Sequence, residues 1–354
     1  MNNELQIANA ITNKIVLLVE QARKSVAKNA NVTMVFTYFH IGKLLVEEWQ
    51  QGKKRARYGE NVLKNISANL TDKLGKGFSV QNLERMRNFF LLYSNSSKEL
   101  RNSDVFIKSS NSLGIFDNNL SINILPISWS HYLFLMRIKN EQERQFYEIE
   151  CYQNQWTLEE LERQFNTGLF ERLSTGKNQD EIFKLSKEGQ IITNPRDLMK
   201  DPLILDFLDL KSDVSYTETD LETAIINQIE NFMLELGKGF FFGGRQVRFS
   251  FNEEHYFVDL VFYNRILRCF VLIDLKIGKL KHQDLGQMQM YVNYYDRFVK
   301  QNNENNTVGI VICKTKEDAI VEITLPKDNN QIFATQYETI IPSKEMLKQV
   351  IDLK

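Results

Sequence analysis

Cysteine is scarce and scattered. Cys151, Cys269 and Cys313 are the only three in 354 residues, and no two of them form a CxxC pair. That excludes a disulfide framework and a cysteine-built zinc site, and it suits a reducing compartment. Histidine is equally thin: His40, His131, His255 and His282 show no metal-ligand spacing. No run of about 18 apolar residues occurs, so no membrane-spanning helix is expected. The opening Met1-Asn-Asn-Glu-Leu-Gln has neither the basic stretch nor the apolar stretch of a secretory leader. A cytoplasmic location is therefore the expectation. An excess of one charge is missing too. With 44 Lys and Arg against 45 Asp and Glu the net charge is −1, so any binding of nucleic acid must use local patches. The chain also lacks a P-loop, a dinucleotide fingerprint and a nucleophile elbow, which removes ATP-driven motors and NAD chemistry.

What is present divides in two, and the length has room for two domains. Residues 4–50 show helical spacing, with Ile11, Ile15, Leu18, Ala22 and Val26 as one stripe. A basic loop, 52–59, carries Lys53, Lys54, Arg55 and Arg57. Helices are expected over 60–74 and 80–93, joined by Gly75-Lys-Gly77 and capped by Ser79, a helix-turn-helix-like unit. Arg85 lies on the second of these, where a recognition helix would present it, beside Lys73 and Lys76. Such cations neutralise phosphates, although a solvated basic surface reads the same way. Residues 95–123 are Ser/Asn-rich and aperiodic, a loop. Helices are expected again over 129–139, 141–153 and 157–172, and 176–215 reads as a connection. The domains are expected at 1–176 and 183–354.

The second half changes character. A helix over 220–236, capped by Thr219 and Glu222, precedes strand-like runs at 240–242 and 246–251. Two strands follow, Tyr256-Phe-Val-Asp-Leu-Val-Phe-Tyr263 and Ile266-Leu-Arg-Cys-Phe-Val-Leu-Ile-Asp-Leu-Lys276, with Asn264-Arg265 as the hairpin loop. A helix over 283–300 and an apolar run over 307–313 complete an α/β domain with a mixed sheet. The second strand is apolar on both faces, so it is central, yet Asp274 and Lys276 leave one of those faces together. Burying such charges is costly unless they are paired or hold a metal. Counted from Asn264-Arg265, Asp259 and Asp274 are not directly opposite, and a bulge or splay is needed for them to share an ion.

Glu222 competes with Glu218, Glu230 and Glu235. On a continuous wheel of about 100° per residue, only Glu222 falls inside the stripe of Ile225, Ile229, Phe232, Met233 and Leu236. First-turn compensation of the helix dipole is the alternative. Gln287 and Tyr291 share one helix face, with core packing as the alternative for the tyrosine. Lys279 and Lys281, just ahead of that helix, contact substrate or form a solvated basic loop.

Asp259 followed by Asp274-Leu275-Lys276 resembles the PD-(D/E)XK nuclease signature. The surrounding order is more specific: Leu221-Glu222-Thr-Ala224, Leu234-Glu-Leu-Gly-Lys-Gly-Phe240, Gly244-Arg-Gln246 and Gly286-Gln-Met-Gln-Met-Tyr291. With Ala56-Arg-Tyr-Gly59, Leu74-Gly-Lys-Gly-Phe-Ser79 and Trp129-Ser-His-Tyr132, it resembles the YhcG-type family across most of the chain. The resemblance implies an α+β protein: an all-α N-terminal domain followed by an α/β restriction-endonuclease-like domain with a central mixed sheet. It also implies a nuclease acting on DNA with Mg²⁺ or Mn²⁺. Asp259, Asp274 and the Leu275 carbonyl would hold the ion, and Glu222, Lys276 and Gln287 would complete the catalytic set. Tyr291 would lie against the nucleic acid. A non-catalytic nucleic-acid-binding or assembly factor on the same fold is the rival reading. A homo-oligomer or a protein partner fits either.

Overall fold

The computed structural model describes residues 31–47, 56–94, 124–210 and 216–342, the side chains of 56–61 excepted. Lys53, Lys54 and Arg55, the 95–123 segment and the side chain of Arg57 therefore lie outside the described residues. The chain divides into two compact units, Met1–Glu162 and Arg163–Lys354. No described helix is long and apolar enough to cross a membrane.

Among the described residues the first unit is all helix. It comprises α1 (residues 31–47), α2 (Ala56–Leu74), α3 (Val80–Ser94), α4 (Trp129–Leu135), α5 (Glu141–Asn154) and the start of α6 (Leu158–Asn166). Helix α2 already runs through 56–59, which had been expected to be loop. The α2–α3 turn works because Gly75 and Gly77 take φ of +83° and +120°, a region that only glycine enters without cost. The Ser79 hydroxyl then accepts from the Asn82 N–H at 3.3 Å and starts α3. Leu63, Leu83 and Met86 close a core with Leu45 of α1. At Gly42 a Cβ would lie 2.1 Å from the Met86 carbonyl oxygen, so α1 and α3 meet backbone to backbone.

The second unit begins earlier than composition suggested. Thr167 and Gly168, the latter at φ +62°, break the expected 157–172 helix and start α7 (Leu169–Ser174). The stretch read as a connection holds α8 (Gln179–Glu188), capped reciprocally by Asn178 and Glu181, and the short strand β1 (Leu203–Ile204). Then come α9 (Glu218–Asn227), α10 (Ile229–Leu236), β2 (Phe240–Phe251), β3 (Glu254–Asn264), β4 (Cys269–Lys279), α11 (His282–Tyr294), β5 (Val308–Thr315), α12 (Asp318–Thr324) and β6 (Ile332–Glu338). The strands form one mixed sheet in the order β1-β6-β5-β4-β3-β2. Strands β2, β3 and β4 run antiparallel, and β4, β5, β6 and β1 run parallel.

Both faces of β4 are covered, as its two-sided apolar sequence requires. Val271, Ile273 and Leu275 meet Leu221, Ile225 and Phe232 of α9 and α10 on one face. On the other face Leu272 meets Leu285, Met288, Tyr291 and Val292 of α11. Each such fully buried side chain contributes about 1.5–3 kcal/mol. Gly309 of β5 lets α11 sit close, because a Cβ there would lie 2.5 Å from the Met288 sulfur.

Two expectations about the helix ahead of the sheet are corrected. Its cap is Thr217, whose hydroxyl accepts from the Asp220 N–H at 3.1 Å while the Asp220 carboxylate accepts from the Thr217 N–H at 2.8 Å. It is also not one helix. Gln228, at φ −121° and ψ 34°, separates α9 from α10 and resets the wheel. Glu235, placed outside the apolar stripe by the continuous wheel, is fully buried.

Candidate active site

The β3–β4 hairpin closes at Asn264–Cys269, so its loop is Arg265–Arg268 and not Asn264-Arg265. The Asn264 side-chain oxygen accepts from the N–H groups of Ile266 and Leu267 at 3.0 and 3.1 Å, and Arg268 takes φ +50°. Two more loop residues shift the register by enough to matter. The last ladder pair is Leu260–Ile273, and the next position sets Asp259 across from Asp274. The two carboxylates are cross-strand neighbours without any bulge between β3 and β4.

At that point the ladder opens and Asp259 completes it with its side chain. The Leu275 N–H donates to Asp259 Oδ2 at 2.8 Å. A strand residue sends its N–H and C=O to the same edge, so the Leu275 carbonyl also leaves toward Asp259. Asp274 is 2% exposed and shares its face with Leu272. Lys276 Nζ lies 2.8 Å from Asp274 Oδ2. It sits off the hydrogen-bonding direction, and this buried oxygen has no aligned donor. Burial pushes the Asp274 carboxyl up to about 7, with Lys276 opposing and Asp259 adding to the rise. Burial raises Asp259 as well, against the Leu275 N–H, Lys276 and Gln246, which all lower it. Lys276 has burial working against its charge, but Asp274, Glu218 and Asp259 outweigh it and raise the lysine. Its ion-pair partners are Asp274 and Glu218, the latter at 3.9 Å.

Glu222 is 4% exposed and faces this group through two β2 residues. Arg245 Nε donates to Glu222 Oε1, and its Nη2 donates to the Thr223 hydroxyl at 3.0 Å. The Gln246 amide donates to Glu222 Oε2 at 2.6 Å and to Asp259 Oδ1 at 3.0 Å. Local pattern alone assigns no role to Arg245 or Gln246. Their position in a Gly-Arg-Gln run after a double glycine was the available signal. On α11, Gln287 donates to the Tyr291 hydroxyl at 2.5 Å. Burial raises the tyrosine, and Asp274 and Asp259 add to that, so its hydroxyl shares the field of the carboxylates.

The basic candidates disperse. Lys279 is paired with Glu317, and the Lys281 N–H donates to Asp284 at 2.8 Å to open α11. Arg85 donates to Asn82 at 3.1 Å on α3. Among the described residues no group of three His, Cys, Asp or Glu side chains is arranged to hold a metal. The site instead offers two carboxylates, one of them with its buried Oδ2 met only by Lys276, and a backbone carbonyl. That donor set is hard and incomplete, which fits a Mg²⁺-like cation that keeps waters and takes its remaining ligands from substrate phosphate.

The resemblance read from the motifs is matched by direct comparison. Residues 196–352 match the YhcG PDDEXK nuclease domain and residues 14–172 the DUF1016 N-terminal domain. A protein of Escherichia coli (strain K12) named "Putative nuclease YhcG" is 34% identical over 345 residues, 94% of this chain and 90% of that one. Among solved structures, a repair endonuclease from Pyrococcus abyssi aligns at a TM-score of 0.25 and 14% identity, over 37% of this chain and 50% of that one. The EndoMS–dsDNA complex aligns at 0.26 and 13%, over 38% and 50%. In both cases the alignment spans half of the solved chain.

Proposed function

The chain belongs to the YhcG nuclease family, and from that premise we propose that it hydrolyses phosphodiester bonds of DNA with Mg²⁺ or Mn²⁺. The observation that carries the reading is the pairing of Asp259 with Asp274 across the opened end of the hairpin, with Asp274 Oδ2 buried and lacking an aligned donor. Asp259, Asp274 and the Leu275 carbonyl would hold the cation. When bound, that cation polarises the phosphoryl oxygens and lowers the pKa of water beside it. The chain's own groups supply the rest. Lys276, an ammonium held at the carboxylates by Asp274, stabilises charge that develops on the phosphorus oxygens. Glu222, kept within reach of Asp259 by Gln246, orients water. The Gln287–Tyr291 pair presents an amide and a hydroxyl to the phosphate from α11.

Cleavage of labelled DNA and RNA panels with Mg²⁺ or Mn²⁺, against an EDTA control, tests this reading. Metal-dependent cutting of DNA is expected. Binding without cutting under every metal would favour the non-catalytic rival, which the complete Asp259, Asp274 and Lys276 set argues against. Glu222→Gln lowers turnover by about 10²-fold or more, and Glu230→Gln leaves it within about twofold. Steady-state rates of the two variants check this, and a larger loss at Glu230 would reject Glu222.

The helical N-terminal unit is read as the DNA-holding part. Replacing Lys53, Lys54, Arg55 and Arg57 with Ala is expected to weaken binding alike for all sequences. It should flatten the log–log salt dependence by about one unit per lost phosphate contact. Titrations across a salt series measure that slope, and an unchanged one places DNA binding elsewhere.

A further inference from the structure

We propose that Gln246 is a positioning residue of the metal site, its amide setting the Glu222 and Asp259 carboxylates in place ahead of the cation. The proposal rests on the reading of Asp259 and Asp274 as cation ligands. It starts from a backbone anomaly. Along the β2–β3 ladder Arg245 faces Leu260 and Val247 faces Val258, but Gln246 between them takes φ +47°. A left-handed residue that is not glycine costs about 1–2 kcal/mol, and such strain persists where the surroundings enforce it.

The consequence is visible in the side chains. Successive residues of a regular strand point to opposite faces, so Arg245 and Gln246 should not share a target. Here they both reach Glu222, Arg245 at Oε1 and Gln246 at Oε2. The same Gln246 nitrogen reaches Asp259 Oδ1, whose other oxygen takes the Leu275 N–H. All four carboxylate oxygens of Glu222 and Asp259 are thus held by named donors. Each oxygen keeps a further lone pair for a cation or water. The amide is neutral, so it orients the two acids without cancelling the charge that attracts a metal. Outer groups of this kind typically govern metal affinity by 10–100-fold.

Calorimetric titration of the full-length chain with Mn²⁺ tests the proposal on wild type, Gln246→Gly, Gln246→Asn and Asp274→Ala, with melting temperatures measured alongside. Glycine relieves the positive φ, so Gln246→Gly melts no lower than wild type. Its Kd for Mn²⁺ rises about tenfold or more. Asparagine tolerates the left-handed region and keeps an amide one methylene shorter, so its Kd falls between the two. A Gln246→Gly protein that binds Mn²⁺ as wild type does overturns the proposal, and a fall in melting temperature with unchanged Kd does so too, by showing a purely structural role. Asp274→Ala separates the two levels. If it binds Mn²⁺ undiminished, the reading of the site itself fails and the proposal falls with it. If it abolishes binding while Gln246→Gly does not weaken it, the site stands and only the role of Gln246 is lost.

Discussion

Asp274→Asn abolishes metal-dependent cleavage and at the same time raises the melting temperature at pH 8. The two effects share one cause. Asp274 is almost wholly buried, and burial pushes its carboxyl from the ordinary value of 3.8 up to about 7. Between those values the unfolded chain has released the proton and the folded chain retains it. The native state then binds more protons, so stability falls as pH rises. The penalty grows from about pH 4, is complete above about pH 7, and is absent from the amide. The stability advantage of Asp274→Asn should therefore be small at pH 4, larger at pH 6 and level above pH 7. Thermal melts of both proteins across that range measure it. Cleavage goes the other way, since an amide supplies one neutral oxygen where the carboxylate offers a cation two that share a charge. Lys276→Ala separates charge stabilisation from metal binding. It should lower the rate by about 10²–10³-fold while calorimetric Mn²⁺ binding persists. Undiminished cleavage by purified Asp274→Asn would remove this site from consideration.

The parts of this site that could be read from sequence are those set by local pattern. Strand β4 betrayed itself through apolar residues on both faces, and the same alternation set Asp274 and Lys276 on one side. The pairing of Asp259 with Asp274 was missed because it depends on loop length. Asn264 looks like a turn residue, but it closes the ladder and uses its side chain to start a four-residue loop. Reading the loop as Asn264-Arg265 and not Arg265–Arg268 moved the partner of Asp259 by four positions, from Phe270 to Asp274. The helix wheel failed for a similar reason. It identified Glu222 correctly as facing inward, but phase does not survive the break at Gln228, so Glu235 was assigned to the wrong side. Strands β1 and β6 are parallel and distant in sequence, and nothing local announces such a pair. Arg245 and Gln246 converge on one carboxylate only because of a single left-handed residue, which no composition rule places at a glutamine.

Removing Arg172 costs the second unit about 3–5 kcal/mol, the range for stripping one partner from a buried ion pair. Its guanidinium Nη1 lies 2.6 Å from Glu235 Oε1, and both side chains are fully buried. Arg163 reaches the other oxygen at 3.3 Å, the Ile204 N–H donates to Oε1 at 3.0 Å, and the Lys200 ammonium donates to the Glu235 carbonyl. Burial works against the Glu235 charge, but Arg172, Lys200 and Arg163 overcome it and hold the carboxyl down to about 2. A depressed acid contributes its stability above its unfolded value, here 4.5, and loses it as pH falls toward 2. Arg172→Met should accordingly melt roughly 10 °C below wild type at pH 7, and the gap should narrow below about pH 4. Glu235→Gln should also destabilise, and the double variant should lose less than the sum of the two, because the pair shares one interaction. Strict additivity would show that Arg172 acts through packing alone. The network also decides where the nuclease unit can be cut. A fragment of residues 183–354 lacks Arg163 and Arg172 and leaves Glu235 buried against Lys200 and a backbone N–H. A fragment starting at residue 157 keeps both arginines. The longer fragment is expected to give a cooperative melt and the shorter one none, and a cooperative melt from 183–354 would show that the two arginines are dispensable to the fold.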